Sequence, residues 1–201
     1  MISIVDYGVG NLKSLQNALQ FLGFESQFIN SPHEVLRAEM LILPGVGAFK
    51  FAMDNIRTLN LESALLEKAK SGTPIMGICL GMQLFFTRSQ EGGSHSGLDL
   101  ISGQVVKIDG TLKVPHMGWN EIQIQWHRPS RLTRNLPSTR YGYFVHSYYC
   151  KPEDMNSVVA TTEYGRWFAA VFEKDNIFGV QFHPEKSQEL GLQILRNFAE
   201  L

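Results

Sequence analysis

The feature that most constrains the fold is an alternation of short apolar runs with helical periodicity through residues 1–84. Ile2–Val5 is an apolar run that breaks into the turn Asp6-Tyr7-Gly8-Val9-Gly10. Asn11 then stands as an N-cap, Leu12, Leu15, Leu19 and Leu22 recur at helical spacing, and Gly23 is placed to stop the helix. Residues 25–29 and 40–43 form two more apolar runs, the latter ending at Pro44. A helix is expected from about Asn60 to Ser71, closing at Gly72. A fourth strand covers residues 74–78, with a helix starting just after Cys79. Strands and helices alternating in this way build a mostly parallel sheet covered by helices on both faces, an α/β fold of the doubly wound, flavodoxin-like kind. The second half is richer in strands, expected at 105–108, 121–125, 141–145, 158–162, 168–172 and 177–182, with Asp175-Asn176 as a hairpin turn. A final helix carries Leu190, Ile194, Phe198 and Leu201 on one face. At 201 residues the chain has the size of one domain, residues 1–201.

Composition removes several function classes. With 18 Lys+Arg against 19 Asp+Glu, the net charge of -1 argues against nucleic-acid or membrane-surface binding by bulk electrostatics. The 44% of hydrophobic residues argues against disorder. Two cysteines, Cys79 and Cys150, with no zinc-type spacing make neither a disulfide framework nor a metal site, and fit a reducing cytoplasm. The first positive charge is Lys13, so the N-terminus lacks the basic start of a signal peptide. The longest uncharged run, residues 71–87, is too short and too glycine-rich to span a membrane. Residues 122–152 hold no acid but carry Arg128, Arg131, Arg134, Arg140 and Lys151, and this stretch reads as a solvated loop beside a strand rather than a phosphate site.

The chemistry concentrates at strand ends. Gly77-Ile78-Cys79-Leu80-Gly81-Met82-Gln83 has the form of a nucleophile elbow with Cys in place of Ser: apolar strand, tight turn, helix. The flanking glycines suit a turn that brings backbone too close for a Cβ. The turn presents the thiol at a helix N-terminus, where the dipole favours an anion, and aims the Leu80 N–H where an oxyanion would form. The alternative for Cys79 is a buried, inert thiol.

A thiolate acting on an amide needs a base, and the base an orienter. Of six histidines only His183 is followed by Pro184-Glu185. Proline keeps the preceding residue extended, so residues 183–185 are expected to be extended, with His183 and Glu185 projecting to one side. The segment follows an apolar strand, which puts it at the sheet edge where sites assemble. Pro44-Gly45-Val46-Gly47-Ala48-Phe49 follows another strand, and its glycines suit close approach of backbone amides to a ligand. A helix is expected behind it.

Together, PGVGAF (44–49), GICLGMQ (77–83) and GVQFHPEKS (179–187) resemble the class I glutamine amidotransferases, in which a Cys-His-Glu triad releases ammonia from glutamine. DYGVGNL (6–12), VPHMGWNE (114–121) and YFVHSYY (143–149) resemble, within that family, the glutaminase subunits of imidazole glycerol phosphate synthases. The least family-like part is 126–140. The resemblance implies Cys79 as nucleophile, His183 as general acid/base and Glu185 as its orienter. It implies the amides of Leu80 and the Val46–Gly47 segment as oxyanion donors. Gln83, Ser147 and Tyr148, with Gly47 beside them and Glu91 as a candidate for the amino group, would hold the α-amino and carboxylate end of L-glutamine. No cofactor or metal is implied. Gln83 lies four residues after Cys79, on the same side of the elbow helix. For His146 a satisfied, partly buried histidine stands beside any functional role. The resemblance also implies a cyclase partner with a TIM barrel, because 201 residues are too few to add a fold of about 250 residues. Asn11, Trp119 and Asn120 are the candidate contacts of that heterodimer, with core packing as the alternative for Trp119. The competing functions are the glutaminase of an anthranilate or aminodeoxychorismate synthase, whose elbow glycine is usually followed by His-Gln rather than Met82-Gln83, a γ-glutamyl hydrolase, and a non-catalytic scaffold subunit.

Overall fold

A computed structural model describes residues 1–108, 112–125 and 129–201. The first half holds β1 (Ile2–Val5), α1 (Leu12–Phe21), β2 (Ser26–Ile29), α2 (Pro32–Arg37), β3 (Leu41–Gly45), α3 (Phe49–Thr58), α4 (Leu61–Lys70), β4 (Ile75–Cys79) and α5 (Leu80–Leu84), with the four strands where they are expected. The second half adds β5 (Phe86–Ser89), β6 (His95–Ser96), β7 (Ile101–Lys107), β8 (His116–Glu121), β9 (Gln123–Ile124), β10 (Tyr141–His146) and β11 (Tyr148–Pro152). It closes with β12 (Val158–Glu163), β13 (Trp167–Lys174), β14 (Ile177–Val180) and α6 (Gln188–Ala199).

Among the described residues the main sheet has eight strands in the order β2-β1-β3-β4-β14-β13-β12-β9. The pairs from β2 through β14 are parallel, and β13, β12 and β9 extend the sheet antiparallel. Because β14 inserts beside β4, the last strand of the chain carries the 183–185 segment next to the Cys79 elbow. Two apolar layers cover the sheet. Along β4, Ile75 belongs to one layer with Leu43, Phe49 and Phe172, while Met76 and Ile78 belong to the other with Phe178, Phe182 and Ile194. Side chains alternating across a central strand produce this division.

The ends of α1 are as expected, with the Asn11 side chain accepting from Ser14 N–H at 3.2 Å and Gly23 at φ +86°. Several expectations need correction. Residues 121–125 are not one strand: His116–Glu121 pairs with β10, and Gln123–Ile124 pairs with β12, so Ile122 lies between two sheets. The helix α2 was not anticipated, although Ser31 and Glu34 form a reciprocal capping box. Leu201 lies beyond α6 and is exposed. The arginine-bearing stretch is not simply solvated, since Arg131 pairs with Glu173 at 2.6 Å and lies over the Phe178 ring. Trp126, His127 and Arg128 lie outside the described residues. Among the described residues no helix is long and apolar enough to cross a membrane.

Candidate active site

β3, β4 and β14 end side by side, and their registers determine what meets there. Gly45 lies opposite Cys79, and Val180 lies opposite Ile78. Cys79 takes φ 53°, ψ -108°, a sparsely populated backbone state for a residue with a Cβ. The glycines around it are required by contact. A Cβ on Gly81 would run into the Leu43 carbonyl, and one on Gly77 into the backbone of Gly81 and Met82. The elbow therefore packs directly on β3, and the thiol, 5% exposed, sits at the sheet edge. Its neighbours are the Gln181 amide, whose Nε2 donates to Sγ at 3.7 Å, and the Val145 carbonyl, which accepts from Sγ at 3.9 Å.

His183 is extended at φ -92°, ψ 100°, but Pro184–Lys186 turns into a short 3-10 helix, so the expectation of an extended 183–185 segment fails after its first residue. The pair forms nonetheless: His183 Nδ1 donates to Glu185 Oε1 at 2.9 Å, and both side chains are 5% exposed. The histidine is clamped by its own backbone, with its N–H on Tyr143 O at 2.9 Å and its carbonyl accepting from Ser187 Oγ at 2.6 Å. Burial disfavours the imidazolium, but its interactions with Cys79 and the Glu185 carboxylate outweigh that and push the His183 pKa up to about 10. His183 Nε2 is buried with no hydrogen-bond partner and is the ring nitrogen left free by Glu185. These three groups can form a thiolate–imidazolium pair steadied by a carboxylate.

A cavity of about 260 Å³ opens over Cys79. Gly47, Val46, Leu80, Gln83, Glu91, Ser147 and Tyr148, all singled out in the sequence, line it. Pro115, Val145 and His146 line it as well, the first two not singled out there. Pro115 falls inside the 114–121 motif that carries part of the family resemblance, in which only Trp119 and Asn120 are singled out. Glu91 accepts from Phe49 N–H at 2.8 Å, tying the start of α3 to the pocket wall. The Val46–Gly47 segment is anchored from below: the buried Tyr7 hydroxyl donates to Pro44 O at 2.5 Å, and a Cβ on Gly45 would meet that hydroxyl. Burial first, and the charge of Cys79 second, raise the ionisation of Tyr7 well above its ordinary range, so it remains a neutral donor. His146 and His116 are buried, Tyr148 is partly buried, and His146 carries a hydrogen bond at each ring nitrogen. Trp119 is half exposed and edges onto Tyr143, which removes the core-packing alternative. Asn120 donates to Glu163 O at 2.7 Å.

The family model for glutamine amidotransferase class-I matches residues 3–201. Over 200 residues the chain is 50% identical to the imidazole glycerol phosphate synthase subunit HisH of Moorella thermoacetica, covering 100% of this chain and 94% of the relative. It is 48% identical over 208 residues to the protein of the same name from Syntrophotalea carbinolica, with all of both chains covered. A crystal structure of a glutamine amidotransferase superposes with a TM-score of 0.79 at 16% identity, over 100% of this chain and 98% of the other, a likeness of fold. The chain belongs to the class-I glutamine amidotransferase family.

Proposed function

We propose that this chain is the glutaminase subunit of an imidazole glycerol phosphate synthase. It would hydrolyse L-glutamine to glutamate and ammonia and hand the ammonia to a cyclase subunit. The reading is carried by the placement of a strained Cys79 elbow beside a buried His183–Glu185 pair, at the ends of neighbouring strands of one sheet. The full-length relatives named as that synthase's HisH subunit support it. The family match over residues 3–201, and a sheet that draws strands from both halves of the chain, support treating residues 1–201 as one domain.

In this mechanism the Cys79 thiolate adds to the side-chain carbonyl carbon of glutamine. The N–H groups of Leu80 and of the Val46–Gly47 segment hold the resulting oxyanion. The His183 imidazolium gives its proton to the departing nitrogen, the C–N bond breaks, and ammonia leaves a thioester on Cys79. His183, held at Nδ1 by Glu185, then takes a proton from water. The hydroxide adds to the thioester carbon, the C–S bond breaks, and glutamate and the thiolate are released. Gln83, Glu91, Ser147, Tyr148 and Gly47 would hold the amino-acid end. One oxyanion donor is worth about 2.7–4 kcal/mol, so a backbone change at Val46–Gly47 is enough to switch the rate.

Ammonia released into water is protonated and lost, which gives the glutaminase a reason to dock. The cyclase, a TIM-barrel protein, would join the ammonia to a phosphoribulosyl-aminoimidazole nucleotide, forming imidazole glycerol phosphate and aminoimidazole carboxamide ribotide. Exposed apolar side chains at the cavity mouth support a heterodimer there: Val46 lines the cavity, and Val114 and Met117 flank Pro115, which lines it too. Asn11, Trp119 and Asn120 are the proposed contacts from sequence. Two unpaired thiols fit action in the cytoplasm. Glutamine turnover with and without the cyclase subunit tests the proposal. Glutamate formation that rises when the cyclase is added is expected. No glutamate under either condition would overturn the glutaminase reading, and equal rates would overturn the coupling through Val46–Gly47.

A further inference from the structure

Behind the cavity wall lies a chain of hydrogen bonds whose direction is fixed by its ends. His146 Nδ1 contacts the Tyr148 carbonyl at 2.8 Å, and a carbonyl only accepts, so this nitrogen carries the proton. His146 Nε2 is then the acceptor of its contact with His116 Nδ1 at 3.0 Å, which makes His116 Nδ1 a donor. His116 Nε2 in turn faces the Asn120 amide nitrogen at 3.4 Å, which donates. Both rings are neutral in this arrangement. Their surroundings favour that: His116 stacks between Phe144 and Tyr164, and His146 meets the edge of Phe168. Burial lowers the His116 pKa to about 4 and is the largest cause that lowers the His146 pKa to about 3.

At its inner end the chain reaches the pocket. Tyr148 O, already accepting from His146, also accepts from Gln83 Nε2 at 3.0 Å. The same Gln83 nitrogen donates to Gln181 Oε1 at 3.3 Å, and Gln181 Nε2 donates to Cys79 Sγ. On the histidine side every donor points towards Tyr148 O, while Gln83 Nε2 donates both to Tyr148 O and, away from it, to Gln181. Gln83 spends its amide nitrogen inside the protein, and its Oε1 is the polar atom left for a ligand on a side chain that lines the cavity.

We propose that His116 and His146 are positioning residues: a neutral, tautomer-locked pair that fixes the Tyr148 carbonyl and so obliges Gln83 to present an acceptor to the ammonium end of glutamine. This rests on the glutaminase reading. It requires His146 to supply one donor and one acceptor and nothing more, so an amide side chain can replace it, while a hydrocarbon of similar bulk cannot.

The test uses the full chain with its cyclase subunit. H146L is expected to raise the KM for glutamine about tenfold with a smaller change in kcat, as for loss of one buried hydrogen-bond partner, whereas H146Q is expected to stay within about threefold of the parent. Alkylation of Cys79 by iodoacetamide, which does not use the amino-acid pocket, is expected to be unaffected in both variants. A KM for H146L equal to the parent's, or a KM for H146Q raised as far as that of H146L, would overturn the proposal. In the unsubstituted chain, 15N NMR is expected to show both rings as Nδ1–H tautomers with no titration over about pH 5 to 9. A charged ring or an Nε2–H tautomer at either position overturns the proposal whatever the variants do. Absence of glutamine turnover in the parent complex, with the tautomers as expected, would count against the glutaminase reading instead.

Discussion

Gly45 and Cys79 face each other across adjacent parallel strands, so the segment that starts at Gly45 is delivered alongside the thiol by strand register alone. Three residues past the end of β14, His183 comes to the same edge, and its carboxylate partner is 2.9 Å away. No loop has to find the site, since each part leaves a strand that is already paired.

Removing either end of the Cys79–His183–Glu185 series is expected to leave the fold intact and stop the chemistry. Cys79→Ala should abolish glutamate formation, a loss of at least about 10⁴-fold. Glu185→Gln keeps the shape but replaces the acceptor at His183 Nδ1, and kcat should fall by about 10²–10⁴-fold. Unchanged circular dichroism and melting temperature, set beside the steady-state rates, check that the effect is chemical.

The His183 pKa predicts the sign of a pH effect on stability. A histidine whose folded pKa is raised from 6.5 to about 10 binds its proton more tightly in the folded chain, so its contribution is complete below pH 6.5 and is lost as pH rises towards 10. The stability difference between the parent chain and His183→Gln should therefore shrink steadily across that interval. Urea titrations of both chains at three pH values measure it, and a difference that grows with pH across that interval would contradict a raised His183 pKa.

Gly81→Ala should be strongly destabilising although the change is one methyl group. The new Cβ would enter the Leu43 carbonyl, and backbone cannot move aside as a flexible side chain does. A loss of roughly 1–3 kcal/mol or more is expected from denaturant unfolding. The exposed Gly23, where an added Cβ meets nothing, provides the contrast, with a smaller cost from its φ of +86° alone.

Tyr7→Phe removes the hydroxyl that holds Pro44 O and supports the Val46–Gly47 segment. A stability loss of about 1 kcal/mol is expected. If the segment supplies an oxyanion donor, kcat should fall while the KM for glutamine changes little, because the donor acts on the transition state. Steady-state kinetics of the complex separate the two.

Much of the site was legible because the elbow writes itself locally. A strand, a cysteine between near glycines and a following helix need no distant partner to be recognised, and the packing of Gly77 and Gly81 shows why alanine is absent there. The parallel core was legible for a similar reason, since strands buried on both faces read as unbroken apolar runs such as Leu41–Leu43. The smaller sheets were harder. Their strands border the pocket and the surface, so His116–Glu121 mixes buried and exposed residues with a glycine, and the apolar signal shifted the expected strand five residues along. The His183–Glu185 contact was anticipated through the wrong backbone, because proline also opens a 3-10 turn and Pro184–Lys186 takes it. Gln181 and Pro115 were missed because what recruits them, a sulfur and a cavity wall, belongs to distant segments. The arrangement of His116 against His146 depends on the pairing of β8 with β10, which no spacing along the chain displays.

The most direct measurement is mass-spectrometric mapping after treatment with an electrophilic glutamine analogue, with excess glutamine as competitor and the cyclase subunit present. One adduct on Cys79, suppressed by glutamine and lost in His183→Ala, is expected. Equal labelling of Cys79 and the buried Cys150, or labelling of Cys79 that ignores both glutamine and the loss of His183, would contradict a glutamine-specific thiolate at this site.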